Sequence, residues 1–420
     1  MRILIVGAGL EGVTTAWYLA RDGHEVIVME TREGPGLETS YANGGQISVS
    51  HPEPWANPQA PLQILRWLGK EDAPLLFRFP AEWARWRWGL SFLRNCTKGR
   101  SRHNTRAIAA LAGRSLACLR ELRSETGLDY NCETRGVLHL FFTDADAARA
   151  PERAQILSDC GLNAEVVDRE RCLELEPALA ASAEQVKGGL YGIDDESGDA
   201  RQFTVGLAEL LERKGVEFRY GVKVRGLGVE KSKGRVDGVD IVDAEGRTGM
   251  IFADAVVLAA GPWSQRIAAR VGERLPIYPV KGYSITVPVI DEALAPRVSL
   301  TDEARRIVCA RLGSHLRVAG TAELAGFDVS PNPERTQTLM RWVETHFPGA
   351  VDLPKAETWC GLRPATPSNV PIIGASRLPG LWFNTGHGTL GWTLACGSAN
   401  ALADLIAGRD PSVAGFPFLT

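Results

Sequence analysis

The sequence predicts an α/β chain with an α+β substrate domain: a Rossmann-like nucleotide-binding domain joined to a mixed or antiparallel substrate-binding sheet. Its first 30 residues run strand, glycine turn, helix, strand and terminal acid, the order such a nucleotide domain requires. A second apolar run, Asp254 to Ser264, also ends in a glycine turn. Gly234 to Val242 and Thr248 to Phe252 read as an antiparallel pair, and Tyr278 to Val287, Arg306 to Arg311 and His315 to Gly320 as a further sheet.

Met1 to Val6 is the first strand, and Gly7-Ala8-Gly9-Leu10-Glu11-Gly12 turns at once into a helix carrying Ala16, Leu19 and Ala20. Glu25 to Met29 is the second strand, closed by Glu30, 23 residues after Gly7. Gly7, Gly9 and Gly12 let the backbone approach a pyrophosphate at the helix N-terminus beginning at Leu10, while Glu30 accepts bonds from an adenosine ribose. Glycine spacing alone is weak evidence among 44 glycines, and a sharp turn with no ligand is the plain alternative. The order of elements favours the dinucleotide. Thr31 and Arg32 follow, the arginine within reach of phosphates, and Thr39-Ser40-Tyr41-Ala42-Asn43-Gly44-Gly45-Gln46 suits the flank of a large buried cofactor. That continuation argues for a flavin, since a nicotinamide domain more often proceeds into another βαβ unit.

With 420 residues, 45% of them apolar, the chain has enough material for two domains with buried cores. A net charge of -3 and the absence of recognition motifs make nucleic acid an unexpected partner. No charged and apolar leader precedes the first strand and no run reaches 18 apolar residues, so the expected location is the cytosol or the cytosolic membrane face. The eight cysteines contain no Cys-x-x-Cys and the seven histidines no His-x-x-x-His, so no metal site is expected.

From His51 the chain takes a stiff, proline-rich path, and then helices cover roughly 62 to 69, 81 to 95 and 102 to 125. Residues 62 to 106 carry ten basic residues against Glu71, Asp72 and Glu82, a local excess of seven positive charges, together with Trp67, Trp83, Trp86 and Trp88. Such helices fit an anionic bilayer surface; a helical cap with inward-packed tryptophans fits equally well. Further on, a strand is expected at 134 to 143, helical chain at 144 to 160, a strand at 164 to 167 and helices at 168 to 175 and 200 to 213. Val216 to Tyr220 and Val222 to Val224 are extended. The Asp254 to Ser264 run brings Gly261 and Trp263 towards the cofactor, unless it is only another core strand.

Near the C-terminus, Trp359-Cys360-Gly361-Leu362-Arg363-Pro364-Ala365-Thr366-Pro367 holds an arginine between a glycine and prolines. A rigid guanidinium fork suits a substrate carboxylate, or a nearby Asp or Glu. Gly386-His387-Gly388-Thr389-Leu390-Gly391 then opens a helix to about Ala407, whose free N–H groups suit negative charge on a reduced flavin.

These segments, with Glu38 to Ser48, Tyr278-Pro279-Val280-Lys281-Gly282-Tyr283-Ser284 and Asn384 to Thr393, resemble the small chain of the FAD-dependent D-amino acid dehydrogenase family, within the glycine oxidase, sarcosine oxidase and D-amino acid oxidase group. The likeness extends over nearly the whole chain. It implies noncovalent FAD. Its adenosine would lie near Glu30 and Val224, its phosphates over the first helix, and its ring between Thr39 to Gln46 and the 386 to 391 loop. Arg363 would hold the amino-acid carboxylate, with Tyr283 and Tyr278 on the substrate wall. His51 and His387 are candidates for local proton handling, since histidine ordinarily titrates near physiological pH, or else only shape the pocket. The resemblance further implies oxidative deamination of D-amino acids, D-alanine among them, to 2-oxo acids and ammonia. Electrons would pass to a quinone or another respiratory carrier from a peripheral position on the cytoplasmic face of the inner membrane. A soluble cytoplasmic enzyme, a secondary-amine or D-proline or hydroxyproline dehydrogenase or oxidase, and a homo-oligomer remain open readings. The expected division is a discontinuous FAD-binding domain of 1–50, 130–145, 185–270 and 355–420. The substrate domain and basic cap take 51–129, 146–184 and 271–354.

Overall fold

A computed structural model describes residues 1–67, 69, 73–77, 83–230, 232 and 234–420. Six strands form the first sheet, in the order Ile372–Ala375, Leu381–Thr385, Ala255–Leu258, Arg2–Val6, Glu25–Met29 and Glu217–Arg219. Arg2–Val6 lies at its centre, parallel to both of its neighbours. Successive side chains of a strand point to opposite faces, so this central strand feeds two cores. Ile3 and Ile5 meet helices Leu10–Arg21, Lys98–Thr126, Ala200–Arg213 and Gly391–Ile406. Leu4 and Val6 meet the antiparallel sheet Lys223–Glu230, Arg235–Val242 and Thr248–Phe252. Both faces being covered explains why these strands are apolar throughout rather than alternating.

The second sheet holds nine strands. Its main path runs Glu357–Ala365, Tyr278–Pro288, His315–Leu324, Ile307–Leu312, Ser299–Asp302, Val137–Phe141, Gly188–Gly192 and Ala164–Val167, with Leu75–Phe77 paired beside His315–Leu324. Three of these strands, Val137–Phe141, Gly188–Gly192 and Glu357–Ala365, fall in stretches expected from the sequence to join the nucleotide sheet. Val137–Phe141 pairs with Ser299–Asp302 and Glu357–Ala365 with Tyr278–Pro288, both distant in sequence, and Gly188–Gly192 lies between Val137–Phe141 and Ala164–Val167; local pattern carries no information about such pairing. Helix Lys98–Thr126 departs from its expected cap in the opposite sense. It packs on Gly391–Ile406, where Gly397 N–H donates to Ser115 Oγ at 3.1 Å, and so belongs to the nucleotide-domain core.

The helices expected at 62–69 and 81–95 span Ala60–Trp67 and Trp83–Asn95. Lys70, Glu71, Asp72, Arg78 and Glu82 lie outside the described residues, as does the side chain of Trp83. The remaining tryptophans divide between the two readings of this stretch. Trp88 packs inward and donates its indole N–H to Ala365 O at 2.9 Å, whereas Trp86 is 55% exposed. Leu62, Leu65, Leu90 and Leu93 are exposed with it. Among the described residues no helix is long and apolar enough to cross a membrane.

Candidate active site

The site begins at the first glycine turn. Gly7 has φ of +107°, and a Cβ there would meet Ala259 O at 2.7 Å, so only glycine closes the turn without strain. Gly12 packs against the Gly7 carbonyl one turn into the helix. At Gly9 a Cβ would have only Ser40 Oγ within 4 Å, at 3.7 Å, which leaves the outer surface of the turn open. Gly9 has no side chain with which to cap the helix, and Leu10 N–H donates instead to Ser40 Oγ at 3.1 Å. The Glu30 carboxylate accepts from Ala8 N–H and from Arg32 N–H, both at 2.8 Å, which fixes it beside the turn. Burial pushes its pKa up against these bonds. Thr31 is exposed, and the Arg32 side chain turns to Glu38, with Nε at 2.6 Å from Oε1.

Beside this turn lies a cavity of about 560 Å³. Leu10, Thr39, Ser40, Asn43, Gly44, Gly45 and Gln46 line one side, and Gly261, His387, Gly388, Thr389, Leu390 and Gly391 another. His51, Tyr283 and Arg363 also face it. The two ends of the chain therefore meet around one space. Gly7, Gly9, Gly12, Glu30, Thr31, Arg32, Val224, Trp263, Gly386 and Tyr278 are not on its wall. Val224 packs at the edge of the core under the three-stranded sheet, and Trp263 is 39% exposed against Phe327. Tyr278 is buried, its hydroxyl accepting from Arg85 Nε at 2.8 Å and from Gly326 N–H at 3.0 Å.

Several backbone bonds hold the wall in shape. Thr39 Oγ1 donates to Leu362 O at 2.6 Å, Asn43 Oδ1 accepts from Gly45 N–H at 3.0 Å, and Gln46 Nε2 donates to Leu300 O at 3.0 Å. Gly388 N–H donates to Pro364 O at 2.9 Å, tying the C-terminal loop to the strand that carries Arg363. Helix Gly391–Ile406 starts at Leu390 with no side-chain cap, and among the described residues no side chain takes up its first N–H groups, which leaves them for a ligand. Two helix starts whose own N-cap residues make no capping bond, an open glycine turn and a fixed carboxylate fit a dinucleotide cofactor.

Arg363 stands on the strand Glu357–Ala365, opposite Val280 in the register. Its guanidinium donates to Thr321 O at 3.0 Å, and no carboxylate among the described residues pairs with it. Desolvation lowers its pKa to about 10, which still leaves it charged at neutral pH. A half-buried cation with one carbonyl partner among the described residues is an incomplete site, and a ligand carboxylate would complete it. Tyr283 also reaches the cavity, but its hydroxyl donates to Glu323 Oε2 at 2.6 Å.

Burial takes the pKa of His387 down to about 3, so it is neutral. Ser398 Oγ gives its proton to Leu394 O, which makes His387 Nε2 the donor to Ser398 Oγ at 2.9 Å. His387 Nδ1 is left with no hydrogen bond, 3.7 Å from Glu11 Oε1. His51 bonds Glu303 through Nδ1 at 3.1 Å, and Glu303 in turn meets buried His139 at 3.0 Å. Glu303, His139, Asp195 and Thr321 escape a reading of the sequence, because each comes from a different strand or loop and no spacing links them.

Comparison with known proteins agrees with this geometry. The family model described as FAD dependent oxidoreductase matches residues 2–405. A D-amino acid dehydrogenase of Dechloromonas aromatica is 48% identical over 419 residues, covering 100% of both chains. One of Paramagnetospirillum magneticum is 48% identical over 417 residues, covering 98% of this chain and 96% of its own. Among solved structures, glycine oxidase from Bacillus cereus has a TM-score of 0.72 at 22% identity, covering 97% of this chain and 95% of its own. The L-proline dehydrogenase from P. horikoshii has a TM-score of 0.73 at 19% identity, covering 99% and 95%. The chain belongs to the family of FAD-dependent oxidoreductases that act in amino acid oxidation.

Proposed function

We propose that this oxidoreductase carries out the oxidative deamination of D-amino acids, D-alanine among them, to 2-oxo acids and ammonia. The observation that carries the reading is Arg363, a charged guanidinium on the cavity wall with a single carbonyl partner. It clamps the substrate carboxylate and so fixes which face of the Cα carbon is turned to the reacting centre. The names of the relatives at 48% identity support the D configuration.

FAD, bound noncovalently, supplies the two-electron acceptor. Glu30 holds its adenosine end, the Gly7 to Gly12 turn its phosphates, and Thr39 to Gln46 with the 386 to 391 loop the ring. The amino acid loses a hydride from Cα and a proton from nitrogen; water then converts the imino acid to the 2-oxo acid and ammonia. Arg363 and the cavity wall orient the substrate, and His51 takes up the proton that its ammonium must lose.

Electrons leave to a quinone, and the protein works at a membrane surface. Support comes from the cavity wall itself, which extends to Trp86, Leu90 and Leu93, residues that are also exposed on the outer side. An apolar acceptor thus has a continuous apolar approach. The test is anaerobic: D-alanine bleaches the flavin, whereas ethylamine, which lacks the carboxylate, does not. Equal bleaching by both removes the Arg363 clamp from the reading.

A further inference from the structure

Behind His51 lies a polar cluster drawn from five separate parts of the chain. Glu303 Oε1 is 3.1 Å from His51 Nδ1, 3.0 Å from His139 Nδ1 and 3.1 Å from Arg153 Nη2. Glu303 Oε2 is 3.3 Å from Arg306 Nη1. Arg153 also holds Glu53 at 2.9 Å. On the far side of His139, Nε2 meets Ser50 Oγ at 2.9 Å, and Ser50 Oγ bonds Asp195 Oδ2. The side chains of His139 and Asp195 are fully buried, whereas that of His51 is 20% exposed and faces the cavity.

Hydrogen bonding decides where the protons are. Ser50 has one proton and gives it to Asp195, so His139 Nε2 must donate to Ser50. Burial pushes the Glu303 carboxyl up, but Arg153 and the two histidines outweigh it and hold Glu303 well below the usual range, ionised. An ionised carboxylate only accepts, so His139 Nδ1 donates as well. His139 is therefore an imidazolium, in agreement with the upward shift that its two acidic neighbours impose against desolvation. Charge balance agrees. Glu53, Glu303 and Asp195 carry three negative charges, Arg153 and Arg306 two positive ones, and one imidazolium brings the cluster to neutrality. The 3.5 Å between the two Nδ1 atoms is then a contact of two donors sharing Glu303, not a bond.

We infer that this cluster presents His51 to the cavity as a neutral base of fixed tautomer, its Nδ1–H held by Glu303 and its bare Nε2 free to accept the proton that the substrate ammonium must lose. Glu303 and His139 are positioning residues of opposite sign: the carboxylate favours proton uptake by His51 and the imidazolium opposes it. The inference rests on the proposed amine oxidation but adds a specific proton route to it. His51, His139 and Glu303 also form a triangle of metal-ligand dimensions. Two guanidiniums on Glu303 already supply its cations, which favours protons over a metal.

The test follows flavin reduction by D-alanine as a function of pH in the FAD-loaded enzyme. Its acidic limb is expected to move up by about one pH unit in His139→Gln and down by about one in Glu303→Gln. In His51→Asn the limb is expected to disappear. A merely structural cluster would lower the rate in all three without opposite displacements, and that result overturns the inference. So does a limb that vanishes on chelation and returns with added zinc, which assigns the triangle to a metal. Should the buried variants lose flavin, histidine nitrogen NMR of the parent protein decides. One doubly protonated histidine persisting above neutral pH is expected, and its absence overturns the inference. Bleaching by D-alanine in the parent enzyme tests the deamination reading separately.

Discussion

A Cβ on Gly282 would collide with the Arg363 guanidinium, because the two residues lie on neighbouring strands and the guanidinium occupies the space that a side chain at 282 would fill. The proposed carboxylate clamp thus needs two residues, one supplying the cation and the other supplying its room. Gly282→Ala is expected to retain flavin while raising the KM for D-alanine about tenfold, or ~1.4 kcal/mol. Arg363→Ala should lose about a hundredfold in kcat/KM, ~3 kcal/mol, with flavin still bound. Steady-state kinetics with flavin occupancy measured on the same samples checks both; unchanged KM in Gly282→Ala removes the steric argument.

Gly7→Ala makes the opposite separation. The positive φ and the Ala259 carbonyl leave no room for a methyl group, so about 1–3 kcal/mol of strain falls on the first turn. Loss of flavin during gel filtration and a lower Tm are expected. A variant that keeps its flavin at the parent Tm contradicts the tight-turn reading.

Glu196 gives the fold a pH dependence. Its side chain is fully buried between Arg120 and Arg123, at 2.7 and 2.6 Å, and its strand pairs with Gln46–Ile47. It therefore ties helix Lys98–Thr126 to the cavity wall. Burial pushes its pKa up, but the two arginines outweigh burial and the net shift is downward. A depressed carboxylate contributes stability that is complete above its unfolded value of about 4.3 and lost as pH falls through its folded value. Glu196→Gln should cost about 2 kcal/mol at neutral pH and flatten the loss of stability below about pH 4.5. Denaturant melts at a series of pH values measure this, and parallel curves for parent and variant contradict it.

The parts of this architecture legible in the sequence are those governed by local pattern. The Gly7 to Gly12 turn, the helix Ala200–Arg213 and the pair Arg235–Val242 with Thr248–Phe252 each follow from periodicity and turn residues over a few positions. Arg363 stood out because of its glycine and proline neighbours, though its place on a strand did not. Sheet membership was not legible: Val137–Phe141 looks the same whether it pairs with Arg2–Val6 or with Ser299–Asp302. For the same reason Glu303 carried no signal, since its partners His51, His139, Arg153 and Arg306 converge only when the second sheet closes.

The exposed leucines of the two short helices carry a separate prediction. Leu62, Leu65, Leu90 and Leu93 are exposed along with Trp86, and Trp86, Leu90 and Leu93 also reach the cavity wall. Replacing the four leucines by serine is expected to abolish flotation with anionic liposomes while D-alanine still bleaches the flavin. Undiminished flotation of that variant contradicts a role for these helices in membrane contact.

The central claim is that the cavity between the two ends of the chain oxidises D-amino acids held through Arg363. Anaerobic reduction of the bound flavin by paired D- and L-amino acids, with secondary amines alongside, tests it most directly. Rapid bleaching by D-alanine and other D-amino acids, with the L-enantiomers and secondary amines at least about tenfold slower, ~1.4 kcal/mol in barrier, is the predicted result. A flavin that stays oxidised across the D-series, or one bleached equally by both enantiomers, contradicts it.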